Sequence, residues 1–317
     1  MKKIIGLILG LALVASSAAQ DFPNKPVRIV VPWPPSGNVD ITARTVAPAF
    51  GEALGQQVVV ENRAGAAGAI GSAAVAKSSA DGYTLLLGSS GTITAGPAVW
   101  KNRQYEPLKD FVAVAPIQSV PIVLTAAAKT PVATYPEFVA YSKTKQISVA
   151  SAGSGSSNHL ALELLMRMAN LNLLHVPYKG SGPAITDLLG SQVDCMMDQL
   201  TASIGHIRDG RIKAIAISST KRSPLLANVP TLDESGVKGY EALTWTGIFA
   251  PAGTPAPVVE KLSVSLGKAL THPTVRERFG GMGVEIMDMG QAEFAAYVRA
   301  DYDKWQRVAR EGNIVVE

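Results

Sequence analysis

Short apolar runs alternate with longer amphipathic segments along most of this chain. Val27–Val31 is a continuous apolar run of strand length, and a helical pattern over residues 40–54 follows it after a loop rich in proline and glycine. Further strands are predicted at residues 57–60, 84–87, 122–125, 147–150, 174–176, 195–197 and 214–217. Further helices are predicted at residues 66–77, 158–169, 184–189, 201–209, 257–270, 273–279 and 291–311.

This alternation of strands and helices predicts an α/β fold. Strands that are apolar throughout need cover on both faces, so the pattern favours a mainly parallel sheet with helices packed on its two sides. The clearest helical periodicity lies in residues 158–169, where Leu160, Leu164, Leu165 and Met168 share one face.

Two places along the chain are predicted to connect two domains. The first lies near Ser119–Ile122, between two strand-like runs, and the second lies near Tyr240–Gly247. Residues 20–120 together with 245–317 would form a first, discontinuous domain, and residues 121–244 would form the second. Because a cleft between α/β domains is a usual site for small molecules, we expect the binding site there.

Residues 1–19 have the pattern of a secretory signal peptide. Lys2 and Lys3 precede the apolar run Ile4–Val14, which is too short to span a bilayer comfortably, and small residues lead to an expected cleavage near Ala19. We therefore expect an exported protein, which in a cell with an outer membrane resides in the periplasm. An uncleaved membrane anchor is the alternative interpretation.

Composition and charge exclude several classes of protein. Of the 317 residues, 47% are hydrophobic and 17% are charged, which excludes a disordered chain. The formal charge of +4 comes without a basic run, so nucleic acid is not an expected partner. The lone Cys195 excludes a disulfide framework, and the scattered histidines lack metal-ligand spacing, so no cofactor or metal is expected.

The first candidate binding loop joins the strand Val27–Val31 to the next helix. Ligands of open α/β sheets bind at this end of the strands, where free N–H groups and the helix dipole favour an anion. Two prolines stiffen the loop, and a glycine permits close approach of a ligand to the backbone. The candidate residues are Trp33, Pro34, Pro35, Ser36, Gly37, Asn38 and Asp40. A stiff structural turn is the alternative interpretation.

The second candidate loop connects the strand at residues 147–150 to the amphipathic helix. It offers several hydroxyl and N–H donors at a helix start, which suits a carboxylate held by neutral hydrogen bonds. The candidate residues are Ala152, Gly153, Ser154, Gly155, Ser156 and His159. In the alternative interpretation, Ser156 or Ser157 only caps the helix.

Polar residues after three other strands are further candidates. They are Ser89, Ser90 and Thr92 after residues 84–87, Tyr178 after residues 174–176, and Asp198 after residues 195–197. An acid at a strand end can orient a donor of the ligand, although it can equally cap a helix or lie on the surface. A secreted hydrolase that uses Ser154 and His159 is a rival hypothesis, weakened by the lack of an acid to orient the histidine.

Short characteristic motifs are spread over nearly the whole chain. They are Phe22–Pro32, Gly37, Asp40–Arg44, Val60–Ala66, Asp81–Leu85, Gly153–Ser156 with His159 and Leu160, Val176–Ala184, Val229–Leu232 and Ala250–Pro255. Together these segments resemble the tripartite tricarboxylate transporter solute receptors, also called Bug-type receptors. The resemblance implies a periplasmic binding protein of the type II-like fold, in which two α/β domains are joined by two crossover segments around a central ligand cleft.

The resemblance also implies how a ligand is held. The carboxylate of a small organic acid would lie between residues 34–38 and 152–156, bound by backbone amides and ordered water, with residues 89–92 and Asp198 completing the wall. The ligand would be a mono- or dicarboxylate, with an aromatic acid as one alternative. The partners would be membrane transporter subunits, or a signalling receptor in the alternative case, and the protein would be a monomer.

This sequence departs from the family pattern at two positions of the first loop. Ser36 replaces the first of two glycines, and Trp33 stands where a smaller aromatic residue is common. The larger ring would either favour an aromatic or longer apolar acid, or pack behind the loop.

Overall fold

The computed structural model describes residues 22–316, which form one connected sheet with helices packed against it. The strands are β1 (Val27–Val31), β2 (Val58–Asn62), β3 (Thr84–Ser89), β4 (Phe111–Ala127), β5 (Ser148–Ser151), β6 (Leu174–Pro177), β7 (Cys195–Gln199), β8 (Ile212–Ile217), β9 (Leu243–Pro251) and β10 (Glu285–Ile286). The predicted signal segment, residues 1–19, lies outside the described residues.

The helices are α1 (Asn38–Leu54), α2 (Ala69–Ala76), α3 (Gly96–Val99), α4 (Pro107–Asp110), α5 (Tyr135–Ser142), α6 (Ser157–Ala169), α7 (Ser181–Leu189), α8 (Leu200–Arg208), α9 (Ala256–Thr271), α10 (Pro273–Gly281) and α11 (Gln291–Glu311). Eight of the eleven helices within residues 22–316 were predicted, and α3, α4 and α5 were not. Short 3-10 turns cover Ala66–Gly68 and Pro224–Leu226, and a π-helical turn covers Ser90–Ala95. No helix within residues 22–316 is long and apolar enough to cross a membrane.

The sheet has the strand order β2-β1-β3-β9-β4-β7-β5-β6, with β8 and β10 also paired to β4. At its two ends the strands are parallel, because β1 pairs with β2 and β3, and β5 pairs with β6 and β7. In the middle, β4 and β9 run antiparallel to each other and to their other neighbours. The α/β class is therefore confirmed, while the expectation of a mainly parallel sheet is wrong at its centre.

The 17-residue strand β4 joins the two ends of the sheet. Its first part, as far as Pro121, pairs with β9, and its last part pairs with β7 and β8. The crossing expected between two strands near Ser119–Ile122 therefore lies inside one strand. The ladder with β9 includes Pro116 and Pro121, and its register shifts next to Pro116.

The buried apolar side chains form two large clusters. One draws on residues 22–117 and 248–279, and the other draws on residues 122–242. Cys195 is a free, buried thiol in the second cluster. The division of the chain into two domains that move against each other stays a prediction.

Candidate functional site

Two adjacent cavities share a wall made of Trp33, Pro34, Ala152 and Gly180. The first has a volume of about 30 Å³, and the second has a volume of about 890 Å³. Besides the shared wall, the first is lined by Gly37, Asn38, Val39, Ser89, Ser157, Asn158, Ser181, Gln199 and Thr244. The second is lined in addition by Ala64, Gly65, Ala66, Ala67, Gly68, Ala69, Trp100, Asn102, Gln104, Gly153, Ser154, Tyr178, Lys179 and Val316.

Four helices begin at the first cavity. Its lining includes Asn38, Ser157 and Ser181, which open α1, α6 and α7, and Gln199, which is the N-cap of α8. Only α6 has a side-chain cap among these four, from Ser156. The first N–H groups of a helix have no partner within it, and its dipole is positive at this end, so four such ends favour an anion between them.

Asp40 shapes the first loop from behind and lines neither cavity. Its carboxylate accepts hydrogen bonds from the Ser36 N–H at 2.9 Å, from Asn62 Nδ2 at 2.8 Å and from Arg44 Nε at 3.0 Å. Asn62 Nδ2 also donates to the Trp33 carbonyl at 3.0 Å. Burial opposes ionisation of Asp40, but the hydrogen bonds from Arg44, Ser36 and Asn62 outweigh it and lower the pKa of this carboxyl.

The indole of Trp33 packs on two glycine turns while it lines both cavities. A Cβ atom on Gly68 would lie 3.4 Å from Trp33 Cε2, and one on Gly91 would lie 3.3 Å from Trp33 Cζ2. The ring therefore packs behind the loop and also lines the cavities, while its preference for an aromatic or longer apolar acid stays a prediction. Its Nε1 is buried and has no hydrogen-bond partner within residues 22–316.

A second buried donor at the first cavity also lacks a partner. Asn38 is 2% exposed, and its Oδ1 accepts hydrogen bonds from Gln118 Nε2 at 3.2 Å and Thr201 Oγ1 at 2.7 Å. Its Nδ2 has no partner in the described part of the chain. An unsatisfied buried donor costs about 1–3 kcal/mol, so a ligand atom that accepts a hydrogen bond from Asn38 would bind favourably.

The second loop presents its first three residues to the cavities and folds its remaining residues behind them. Ala152, Gly153 and Ser154 line at least one cavity, whereas Gly155 and Ser156 line neither. Gly155 has a φ of 79°, and a Cβ atom there would lie 2.3 Å from Trp100 Nε1. A side chain at Gly155 would therefore distort the loop before it could meet any ligand.

His159 holds the second loop in shape and has no hydrogen bond to Ser154. Its Nδ1 accepts from the Gly155 N–H at 3.1 Å, and its Nε2 lies 3.2 Å from Glu163 Oε1. The ring stacks on His175 with centroids 4.0 Å apart. Both nitrogens of His159 are thus engaged away from Ser154, which contradicts the geometry that a Ser–His hydrolase needs.

Behind the first cavity, Asp198 anchors two residues that line it. Its carboxylate accepts from Ser181 Oγ at 2.7 Å and from Asn158 Nδ2 at 3.0 Å. Asn158 and Gln199 also exchange amide hydrogen bonds, at 2.9 and 3.3 Å. Complete burial raises the pKa of Asp198 to about 6. Asp198 therefore orients the wall and does not itself line the cavity.

The remaining candidates divide between lining and support. Ser89 lines the first cavity, and its backbone N–H donates to Thr92 Oγ1 at 3.1 Å, so Thr92 supports the turn. Ser90 is buried and lines neither cavity. Tyr178 lines the second cavity and donates its hydroxyl to Asp187 at 2.7 Å.

The structure thus places half of the predicted site residues on a cavity wall. These are Trp33, Pro34, Gly37, Asn38, Ser89, Ala152, Gly153, Ser154 and Tyr178. The others lie behind the wall or beside it, namely Pro35, Ser36, Asp40, Ser90, Thr92, Gly155, Ser156, His159 and Asp198. The first cavity is also lined by five residues of the candidate loops that were not chosen as site residues, namely Val39, Ser157, Asn158, Gly180 and Ser181. Gln199 and Thr244 lie outside those loops, and the sequence analysis missed them. The role of each in binding stays a prediction.

Comparisons with known proteins agree on one family. Residues 42–314 match the model of the tripartite tricarboxylate transporter family receptor. The periplasmic binding protein BugD is 39% identical, with a TM-score of 0.89 over 93% of this chain and 100% of its own. MatC from Rhodopseudomonas palustris with bound malate is 35% identical, with a TM-score of 0.86 over 90% of this chain and 99% of its own.

A third similar structure is an R. palustris protein solved with adipate. It is 32% identical and has a TM-score of 0.89 over 93% of this chain and 99% of its own. The family match spans well over half of the chain, and the fold agrees with those of periplasmic binding proteins. The chain therefore belongs to the tripartite tricarboxylate transporter receptor family, a family of substrate-binding receptors.

Proposed function

We propose that this chain is an exported receptor that captures a small organic carboxylate between two closing domains and delivers it to a membrane transporter of the tripartite tricarboxylate type. The receptor acts in the periplasm as a monomer after cleavage near Ala19. Residues 20–120 with 245–317 form one domain, residues 121–244 form the other, and the ligand binds in the first cavity.

The convergence of four helix starts on one cavity carries this proposal. None of the described residues that line the first cavity is charged, so an anion there is held by backbone N–H groups, hydroxyls and amides. The unpartnered donors Trp33 Nε1 and Asn38 Nδ2 support a ligand that accepts hydrogen bonds. A carboxylate carries the negative charge that the helix starts favour, and its oxygen atoms can accept hydrogen bonds from these two donors.

The related structures support the same class of ligand. MatC holds malate and the second R. palustris protein holds adipate, and both molecules are dicarboxylates. The two molecules differ in length and in substituents, so the carboxylate is the feature that they share. We carry over to this chain the carboxylate alone.

Titration calorimetry with a panel of carboxylates, amines and sugars tests the proposal on protein that has been unfolded and refolded to remove bound ligand. We expect carboxylates to bind, and amines and sugars to give no heat. Ala152→Asp places an anion in the wall of the first cavity and should weaken carboxylate binding by about 100-fold or more.

Ala152→Asn is the matched control, because it has nearly the same size without the charge. It should keep the affinity within about tenfold of that of the unsubstituted protein. Equal losses in the two variants would contradict an anionic ligand at this wall. Binding of amines or sugars in place of acids would overturn the proposed function itself.

A further inference from the structure

The second cavity adjoins the first and is not needed to hold a carboxylate group. We propose that the ligand is a monocarboxylate whose uncharged, apolar tail extends past Trp33 into this second cavity. This inference rests on the proposed function, because it takes the first cavity as the place of the carboxylate.

The shared wall makes one continuous site of the two cavities. Both cavities are lined by Trp33, Pro34, Ala152 and Gly180. A molecule whose head group binds at the helix starts of the first cavity can therefore extend past these residues into the second cavity. The first cavity has a volume of about 30 Å³, so it holds only a small head group, whereas the second has a volume of about 890 Å³.

The chemistry of the second wall is mostly apolar. The turn from Ala64 to Ala69 presents methyl groups and glycine backbone, and Trp100 and Val316 add larger apolar surface. Trp100 is fixed in place, because Val316 pairs with it and the Val316 N–H donates to the Val99 carbonyl at 2.8 Å. This fixed apolar surface is suited to a hydrocarbon chain or ring.

A second carboxylate would gain little in this cavity. Lys179 is the one charged residue among the described residues that line it, and Lys179 is exposed to solvent. A pair between an exposed lysine and a carboxylate contributes little. One helix, α2, begins at this wall, compared with the four that begin at the first cavity. The other polar side chains of the wall are those of Asn102, Gln104, Ser154 and Tyr178. The cavity therefore favours an uncharged tail over the far end of a dicarboxylate.

A homologous series of straight-chain monocarboxylates from propionate to octanoate, together with 4-phenylbutyrate, tests the inference by titration calorimetry. We expect affinity to rise by about fourfold for each methylene group that enters the second cavity. Dicarboxylates of the same chain length should bind more weakly than the monocarboxylates. A flat affinity along the series, with short acids still binding, would overturn the inference and leave the proposed function intact.

Ala67 offers a matched pair of variants away from the first cavity. It lines only the second cavity and has a φ of 50°, a conformation that aspartate and asparagine tolerate well. Ala67→Asp should weaken octanoate by about tenfold or more and leave propionate unchanged, whereas Ala67→Asn should change both by less than about threefold. Equal effects of the two variants on octanoate and propionate would contradict a tail in this cavity.

Lys179→Ala tests the rival arrangement, in which the far end of the ligand is a second carboxylate. We expect octanoate to bind more tightly than adipate with or without this lysine. If adipate binds more tightly than any monocarboxylate and loses about tenfold in this variant, the far end of the ligand is a carboxylate and the inference is wrong. If no acid binds to the unsubstituted protein, it is the proposed function that fails.

Discussion

Thr201 Oγ1 donates a 2.7 Å hydrogen bond to Asn38 Oδ1 beside the first cavity. Asn38 opens helix α1 in the first predicted domain, and Thr201 lies in helix α8 of the second. Both side chains are buried, so this hydrogen bond forms only when the two segments are in contact. Under the proposed closure of two domains, this hydrogen bond would form in the closed state.

We expect Thr201→Val to weaken ligand binding by about two- to tenfold, the range for the loss of one hydrogen bond of about 0.5–1.5 kcal/mol. Valine keeps the shape of threonine, and Asn38 Oδ1 still accepts from Gln118. Titration calorimetry with the best-binding acid measures the loss. Thr271→Val, which removes only an exposed bond to the Lys268 carbonyl, is the control and should bind normally. An unchanged affinity in Thr201→Val would show that this contact does not assist closure.

Most strands and helices could be predicted from the sequence, because the apolar periodicity is local. The central strand β9 and the first part of β4 were missed, as were β10 and the helices α3, α4 and α5. β4 is one long strand because it pairs with β9, more than a hundred residues later in the chain.

The rule that ligands bind at the ends of strands predicted which loops reach the cavities. It could not predict which side chains of those loops line a cavity. Asp198 was chosen at the end of β7, but its neighbour Gln199 lines the cavity. Successive side chains of a strand point to opposite faces, so a shift of one residue changes which side chain meets the ligand. Thr244 reaches the same cavity through long-range folding and carries no local signal.

Asp198 should couple ligand binding to proton uptake. Burial raises its pKa to about 6, and a carboxylate in the adjoining cavity raises that pKa further by repulsion. The affinity for a carboxylate should therefore increase as the pH falls from about 8 towards 6. Calorimetry near pH 7 in two buffers of different ionisation enthalpy measures the protons taken up.

Asp198→Asn should remove this proton uptake and flatten the pH dependence of affinity. Asp209→Asn, at an exposed carboxylate, should leave both unchanged. Equal proton uptake in Asp198→Asn and the unsubstituted protein would assign the proton to another group.

His175 should lower the stability of the protein in mild acid. Burial, together with the charge of the stacked His159, lowers the pKa of His175 to about 4, whereas histidine in an unfolded chain titrates near ~6.5. Between these values the unfolded chain binds the proton more readily, so the free energy of unfolding falls as the pH is lowered through this window. Asp198 contributes the opposite slope there, because its pKa is raised in the folded protein.

Because the two slopes oppose each other, the free energy of unfolding of His175→Gln is compared with that of the unsubstituted protein. Urea unfolding at several pH values from about 7 to 4 measures it for both. The variant should lose less stability on acidification than the unsubstituted protein. His272→Gln, at a histidine far from the stacked pair, should follow the unsubstituted protein. Parallel curves for His175→Gln and the unsubstituted protein would contradict this role for His175.

Ser36 occupies a backbone conformation that suits glycine better than serine. Its φ of 70° lies in the left-handed region, where a Cβ atom costs about 1–2 kcal/mol. Ser36→Gly removes that strain but makes the unfolded chain more flexible, which costs about 0.5–1 kcal/mol. We expect the difference, a gain of about 0.5–1 kcal/mol in the free energy of unfolding, to appear as a higher urea midpoint.

Ser36→Val should act in the opposite direction, because a β-branched side chain is poorly tolerated at positive φ. The backbone N–H of residue 36 donates to Asp40 Oδ2 at 2.9 Å in the present loop, and glycine keeps that donor. Ligand affinity should therefore change by less than about threefold in Ser36→Gly. A lower urea midpoint for Ser36→Gly would show that the serine side chain stabilises the first loop by more than its strain costs.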